Sequence, residues 1–176
     1  MSKMTTLKAE IRVIGIDDGF SRRKKRVIVG VVFRGGLWLD GVISSVLDAS
    51  GSSLGRGLGA MVAESKFHKE LRFAILHGAM LGPALAVLKE FSKVTRLPTI
   101  ALLHGRQSRT TGLALRRAGN AVKFRLRPGL SALCIGLTTE KAMEVLRVTT
   151  VKPPLPEPVR VACLIASAAN APKRLN

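Results

Sequence analysis

The sequence has no tyrosine, one tryptophan and six phenylalanines, so its core must be built mainly from aliphatic side chains. Few rings are available to stack on unpaired bases, which favours recognition of nucleic-acid shape and backbone over single-strand base reading. Acidic residues are also scarce, with 11 Asp and Glu against 29 Lys and Arg. The net charge of +18 predicts nucleic acid as the partner, ahead of a solubility-adapted surface or an anionic membrane.

The only cysteines, Cys134 and Cys163, lie in apolar runs and form no Cys-x-x-Cys pair. We therefore expect buried free thiols in a reducing compartment. The N-terminus lacks the apolar core of a signal peptide. The longest apolar stretch, residues 73–88, is interrupted by His, Gly and Pro. These absences predict a soluble cytoplasmic protein that makes no membrane contact.

Two common catalytic motifs are missing. The glycines between residues 51 and 59 are not followed by Gly-Lys-Ser/Thr, so they do not form a P-loop. No Gly-x-Ser-x-Gly stands at a strand-to-helix turn, which argues against a serine hydrolase. A small-molecule hydrolase stays open as a third reading, but the strong positive charge argues against it.

What is present is a run of branched apolar residues at 11–17 that ends on two adjacent acids and predicts a buried strand. Two further strands follow at 27–33 and 37–47, joined by a Gly-Gly hairpin signal. The later predicted strands are 72–77, 99–104, 121–126 and 131–136, and the predicted helices are 52–65, 83–95, 109–118, 139–148 and 159–169.

Three antiparallel strands followed by alternating helices and strands predict an α/β fold. The specific prediction is a ribonuclease H-like mixed sheet of strand order 3-2-1-4-5, with helices on its faces. One domain is expected over residues 11–170, with a mobile arm at 1–10 and a loose tail at 171–176. In this order the carboxyl ends of strands 1, 3, 4 and 5 share one edge, where ligands of open α/β sheets bind.

That edge collects the candidate site residues. Asp17 and Asp18 are the candidate catalytic acids, and the candidate metal ligands are Asp17, Asp48, His77 and His104. A site made by Asp17, His77 and His104 would suit zinc, manganese or iron, whereas carboxylates alone would suit magnesium. The alternative is that the acids cap turns and that the histidines hydrogen-bond to loops or to a bound phosphate.

Basic residues cluster beside the same edge. Five consecutive cations occupy 22–26, and further arginines and lysines follow between 106 and 127. A solvated face explains any one of them, but their sum favours phosphate contacts. The candidate nucleic-acid-binding residues are Arg22, Arg23, Lys24, Lys25, Arg26, Arg34, Arg106 and Arg109.

Three blocks of sequence resemble a known family. They are Gly-Ile-Asp-Asp-Gly at 15–19, Val-Val-Phe-Arg-Gly-Gly-Leu-Trp-Leu-Asp-Gly at 31–41, and Pro-Glu-Pro-Val-Arg-Val-Ala at 156–162 with the Leu-Ile-Ala that follows. This pattern resembles the largely archaeal endonuclease dU family, which is related to endonuclease V. The resemblance covers residues 11–169. It implies a ribonuclease H-like fold and metal-dependent cleavage of nucleic acid near a deaminated base.

The resemblance also implies which acids matter. The family's first acid corresponds to Asp17, but His77 stands where the family has Asp before glycine, and Ser52 and Ser53 stand where an acid is usual. The predicted function is therefore a nucleic-acid-binding relative of endonuclease V-type enzymes with a degenerate metal site. It would use magnesium or manganese if active and no cofactor otherwise. The alternative is a catalytically inactive RNA- or DNA-binding factor.

Overall fold

The computed structural model describes residues 7–48, 53–81, 83–105 and 119–172. The strands are β1 (Arg12–Asp17), β2 (Lys25–Arg34), β3 (Trp38–Asp48), β4 (Phe73–Leu76), β5 (Thr99–His104), β6 (Ala121–Arg127) and β7 (Leu130–Ile135). The described helices are α1 (Leu54–Ala63), α2 (Ala84–Thr95), α3 (Thr139–Thr149) and α4 (Glu157–Ala169). None of these described helices is long and apolar enough to cross a membrane. The helix predicted at 109–118 lies outside the described residues.

All seven strands form one mixed sheet in the order β3-β2-β1-β4-β5-β7-β6. The central strands β1, β4 and β5 are parallel, and both flanking pairs are antiparallel. The predicted order 3-2-1-4-5 is confirmed, and the two later predicted strands, β6 and β7, pair as a hairpin that extends the sheet beyond β5. The strand ends of β1, β4 and β5 consequently meet at one edge of the sheet.

Helices cover both faces of the sheet, as expected for this fold class. On one face, α1 and α2 bury Leu58, Leu88 and Phe91 against Ile14 and Ile16 of β1. On the other face, α3 and α4 pack over β1, β2, β4, β5 and β7. The core is largely aliphatic, as the aromatic-poor composition predicts.

Helix α4 lies in direct contact with β1 because Gly15 has no side chain. A Cβ at Gly15 would lie 2.3 Å from the carbonyl carbon of Pro158 and 2.4 Å from the nitrogen of Val159. Both atoms are backbone and cannot swing aside. This contact fixes the first turn of α4 on β1 and brings the later turns of the helix to the carboxyl end of the strand.

The N-terminal arm predicted to be mobile through residue 10 is held from Leu7 onward. Leu7 packs against the core under α3, and its backbone N–H donates to Glu144 Oε1 at 2.6 Å. Apolar burial and a charge-assisted hydrogen bond together offset the entropy of ordering these residues. Residues 1–6 and 173–176 lie outside the described residues.

Candidate functional site

The carboxyl ends of β1, β4 and β5 bring Asp17, His77 and His104 together on the face covered by α3 and α4. His77 Nδ1 lies 2.5 Å from Asp17 Oδ2, and His77 Nε2 lies 2.8 Å from His104 Nε2. Asp17 and His77 are fully buried, whereas His104 is partly exposed. We call these three hydrogen-bonded residues the strand-end chain. The sequence predicted their proximity from the shared edge of parallel strands.

The arrangement of the strand-end chain differs from the metal site that the sequence predicts. Nδ1 and Nε2 project from different sides of an imidazole ring, so Asp17 and His104 lie on opposite sides of His77. The three side chains therefore do not converge on one point. Within the described residues no group of three or more His, Cys, Asp and Glu side chains is placed to hold an ion. A magnesium or manganese site of the kind implied by the family does not fit this donor set.

Asp48, the fourth candidate ligand, lies far from the strand-end chain. Asp17 pairs with Val29 of β2, which pairs with Ser44 of β3. Asp48 is four residues beyond Ser44, roughly 13 Å along the strand, and lies two strand spacings from β1. Its carboxylate approaches Lys24 Nζ at 3.7 Å. Bending at the end of β3 does not bring it to Asp17, so the predicted shared ion with Asp17 is not supported.

Asp18 is buried in a different environment from Asp17. Its Oδ2 accepts from Arg26 Nη1 at 2.7 Å, and its Oδ1 accepts from the backbone N–H groups of Ala79 and Phe20 at 2.9 and 3.1 Å. A side chain at Gly78 would collide with this carboxylate, since its Cβ would lie 2.3 Å from Oδ1. Asp18 therefore joins the ends of β1, β2 and β4.

Electrostatics of the Asp18 pair also favour a structural role. Burial, together with the adjacent negative charge of Asp17, raises the pKa of Asp18, although Arg26 and the two backbone N–H groups act in the opposite direction. Arg26 is itself buried and also donates to the carbonyl oxygen of Ser21. Unlike the exposed cations beside it in sequence, Arg26 is buried and paired with Asp18. Its position therefore does not support the predicted contact with phosphate.

Phe20 covers the two histidines and was missed in the sequence analysis. Its ring meets His77 edge-on at 5.0 Å and His104 at 6.2 Å between centroids. The side chain is 45% exposed, and its φ of 54° is unusual for a bulky residue. Backbone strain of this kind persists only where the surroundings hold it, and it concentrates at functional sites. Its position directly after Asp-Asp-Gly was the available sequence signal.

Cys163 of α4 is a second neighbour that sequence reasoning did not place here. Burial and the negative charge of Asp17 raise the pKa of the Cys163 thiol to about 11. The thiol is therefore neutral at neutral pH. The prediction of free thiols is confirmed for both cysteines, with Cys134 buried and Cys163 partly buried.

His104 marks the point where the strand-end chain meets the surface. Burial lowers the pKa of His104, and electrostatic interactions with His77 and Arg127 lower it further against the opposing effect of Asp17, so His104 is mainly neutral at pH 7. Arg127 begins the turn between β6 and β7, which lies at the same edge because Gly105 N–H donates to Gly129 O at 3.1 Å. A cationic side chain therefore flanks the site on the β7 side.

Exposed cations also lie on the β2 side of the site. Residues 22–25, which we call the basic loop, are all exposed; they end the connection from β1 and include Lys25, the first residue of β2. Arg34 lies elsewhere: it sits at the opposite edge of the sheet, where its Nε donates to Asp40 Oδ1 at 2.9 Å. Arg106 and Arg109 lie outside the described residues. In the strand order the strand-end chain thus lies between the start of β2, where Lys24 of the basic loop lies beside Asp48, and Arg127 at the end of β6.

A cavity of about 330 Å³ opens on the same face of the sheet. Its floor includes Leu102, two residues before His104, and Leu130, the register partner of His104. Its walls are mostly apolar, with Arg127 and Arg147 as the charged lining residues. A volume of this size and character is typical of sites for small organic groups.

Comparison with known proteins identifies the relatives of this chain. A family model described as endonuclease dU matches residues 9–170. The chain belongs to the endonuclease dU family. A UPF0215 protein of Methanosarcina acetivorans is 32% identical, over 92% of this chain and 91% of its own length. Another UPF0215 protein, from Thermococcus gammatolerans, is 34% identical over 92% of this chain and 93% of its own length.

Solved structures confirm the fold of this endonuclease dU family member. A protein of unknown function from Archaeoglobus fulgidus superposes with a TM-score of 0.69 at 24% identity, covering 89% of this chain and 96% of that one. Human endonuclease V superposes with a TM-score of 0.63 at 14% identity, covering 94% and 87%. At these identities the likeness establishes shared architecture, including the sheet that carries the strand-end chain.

Proposed function

We propose that this protein binds nucleic acid across the strand-end edge and is a relative of endonuclease V-type enzymes in which the metal site is degenerate. The observation that carries the proposal is that, in the strand order, cations lie on either side of the strand-end chain: the basic loop at the start of β2 and Arg127 at the end of β6. Cations on both sides of this edge suit a phosphate backbone that crosses it. The net charge of +18 adds long-range attraction.

Phe20 and the neighbouring cavity indicate how a base would be accommodated. An exposed ring above His77 and His104 offers a surface on which one unpaired base can stack. The cavity of about 330 Å³ could receive the base of one nucleotide, while the phosphates on either side of that nucleotide contact Arg127 and Arg147. A deaminated base, which pairs weakly and leaves the stack at low cost, fits this arrangement.

Binding should be tested by fluorescence anisotropy with labelled RNA and DNA, single- and double-stranded, at several salt concentrations. Replacing all four residues of the basic loop with Gln should weaken binding at least about tenfold and reduce the salt slope by up to about 0.9 per lost phosphate contact. The matched control removes four exposed cations from elsewhere: Lys69, Lys89, Lys93 and Arg96. Equal losses in both variants would mean that net charge alone, and not this edge, governs binding.

Metal dependence should be tested separately by calorimetric titration with manganese and magnesium. If the metal site is degenerate, we expect no stoichiometric metal binding that depends on Asp17. The reason is that the Asp17 carboxylate already accepts from the Gly19 N–H at 2.6 Å and pairs with His77. Stoichiometric binding lost in Asp17→Asn, together with metal-dependent cleavage of deaminated DNA or RNA, would restore the nuclease reading. Nucleic-acid binding and metal binding can therefore fail independently.

A second candidate function is cleavage of RNA without a metal, which the strand-end chain favours. With Asp17 accepting from His77 Nδ1–H, His77 Nε2 can accept from His104 Nε2–H, so a proton can pass between a buried acid and the partly exposed His104. In such cleavage the ribose 2′-oxygen loses its proton, attacks the adjacent phosphorus and displaces the 5′-oxygen, which gains a proton. RNA cleavage in EDTA that His104→Gln removes would support it, and DNA of the same sequence is the control.

A further inference from the structure

The two edge strands of the sheet differ sharply in charge. Strand β6 carries Lys123, Arg125 and Arg127, whereas β3 has 11 residues and contains no lysine, arginine or proline. An open strand edge is a template for pairing with another chain, and proteins usually protect it with charges or proline. In a chain with 29 Lys and Arg, the absence of cations from its longest strand indicates that this edge is covered rather than solvated.

Apart from Ser44, the exposed side chains of β3 and of the turn before it are apolar. Leu37, Trp38, Leu39, Val42 and Val46 are between 45% and 74% exposed. At roughly 180 Å² for a fully exposed large apolar side chain, these five present about 500 Å² of apolar surface. Monomeric proteins rarely expose more than a few hundred Å² of contiguous apolar surface.

Helix α4 packs over β2, the neighbour of β3, and exposes further apolar side chains on that face. Val42 and Val46 pair in register with Val31 and Val27 of β2, which belong to the cluster packed under α4. Leu164 and Ile165 of α4 are 60% and 36% exposed. Their addition raises the exposed apolar area to roughly 700 Å², close to the ~800 Å² that each partner buries in a standard interface.

The β3 pattern is complementary to itself. In antiparallel pairing about a two-fold axis at Ser44, Val42 faces Val46 of the second copy and Ser44 faces Ser44. All three side chains are exposed in the monomer. Such pairing places apolar side chains opposite each other at the centre and gives the open backbone groups of β3 partners. At its ends it brings Asp48 towards Asp40 of the second copy, and each of these acids has a cation of its own copy beside it, Lys24 for Asp48 and Arg34 for Asp40. It also keeps the basic loop and the strongly cationic β6 edge away from the contact centre, which limits repulsion between copies of charge +18.

We propose that the protein forms a two-fold dimer through antiparallel pairing of β3 with β3 of a second copy, with its axis at Ser44. The two seven-stranded sheets then join into one sheet of 14 strands. The two strand-end chains face outward from the same continuous sheet, so that one dimer presents two nucleic-acid-binding edges. The dimer itself does not depend on nucleic-acid binding.

The test is sedimentation velocity of the full chain between about 1 and 100 μM, after nuclease treatment and in 0.5 M salt, so that bound nucleic acid cannot bridge copies. Wild type should sediment at twice the chain mass. Ser44→Lys should be monomeric because it sets two lysines against each other at the axis, and Val46→Lys should be monomeric because it places a charged side chain against Val42 of the second copy. The matched control is Val122→Lys on β6, an exposed valine of the other edge strand, which should remain dimeric.

A crosslinking measurement checks the register without relying on loss of assembly. Directly opposed residues of antiparallel strands have Cβ atoms about 4.5–5.5 Å apart, near the range a disulfide spans. Ser44→Cys should therefore give a covalent dimer under mild oxidation, whereas Val122→Cys should not. A monomeric wild type at 100 μM would overturn the proposal. So would a dimer that survives both β3 lysine substitutions, or equal crosslinking at the two edges.

Discussion

The buried ion pair between Asp18 and Arg26 should be essential for stability. Arg26→Met keeps most of the side-chain volume but leaves the fully buried Asp18 carboxylate without its cation. Breaking a buried pair by removing one partner costs about 3–5 kcal/mol. We expect the lower end, about 3 kcal/mol at pH 7.5, because Ala79 and Phe20 still donate to the carboxylate. In a chain of this length the loss corresponds to a fall in Tm of about 6–12 °C.

The loss should also depend on pH. The pKa of Asp18 is already raised by burial and by Asp17, and removal of the cation raises it further. When the pKa of an acid is higher in the folded state than in the unfolded state, the free energy of unfolding is larger at low pH. This gain in stability is lost as the pH rises through the folded-state pKa. The destabilisation of Arg26→Met should therefore be smaller at pH 5.5 than at pH 7.5.

Urea unfolding of four proteins measures the coupling free energy of this ion pair. The four proteins are wild type, Asp18→Asn, Arg26→Met and the double variant. The double variant should lose less than the sum of the single losses, with a coupling of about 1.5–3 kcal/mol. The matched control is Arg34→Met, which weakens a more exposed ion pair with Asp40 and should cost no more than about 1 kcal/mol. An Arg26→Met loss below about 1 kcal/mol, or one that grows at pH 5.5, would refute the reasoning.

Three further predictions concern single positions. Phe20→Ala should weaken binding of single-stranded oligonucleotides by about 1–3 kcal/mol in anisotropy titrations, since one stacked base is lost; unchanged affinity would remove Phe20 from the interface. Gly15→Ala should destabilise the fold by at least about 1–3 kcal/mol in urea, because its Cβ meets α4 backbone; a wild-type midpoint would contradict the packing described. Burial alone would raise the pKa of Asp40, but hydrogen bonds from Arg12 and Arg34 hold it below its usual value. Its contribution is present above the unfolded pKa of about 3.9 and is lost as pH falls through the folded pKa, so Asp40→Asn should destabilise at pH 7, with a deficit that shrinks as the pH falls below about 3.9; a deficit that grows on acidification would disprove this linkage.

Much of the fold follows from local sequence pattern. Branched apolar runs bounded by glycine and proline marked the seven strands, and the three opening strands fixed where the sheet begins. Since parallel strands end at a common edge, the meeting of Asp17, His77 and His104 could also be predicted. The Gly-Gly hairpin signal between the second and third predicted strands also marked the β2–β3 turn. The family blocks at 15–19 and 31–41 coincide with β1 and the β2–β3 hairpin.

The sequence by itself determined which residues reach the site edge, and tertiary structure decided what they do there. Spacing along a strand determines where along the sheet a side chain lies and on which face. It does not determine the hydrogen-bond partner of each polar atom. Asp17 and Asp18 are adjacent and chemically identical, yet one pairs with His77 and the other with Arg26. Those pairings depend on contacts between residues up to 60 positions apart, formed only when β1, β2 and β4 are side by side. For the same reason Arg26, indistinguishable in sequence from its cationic neighbours, is buried while residues 22–25 remain at the surface.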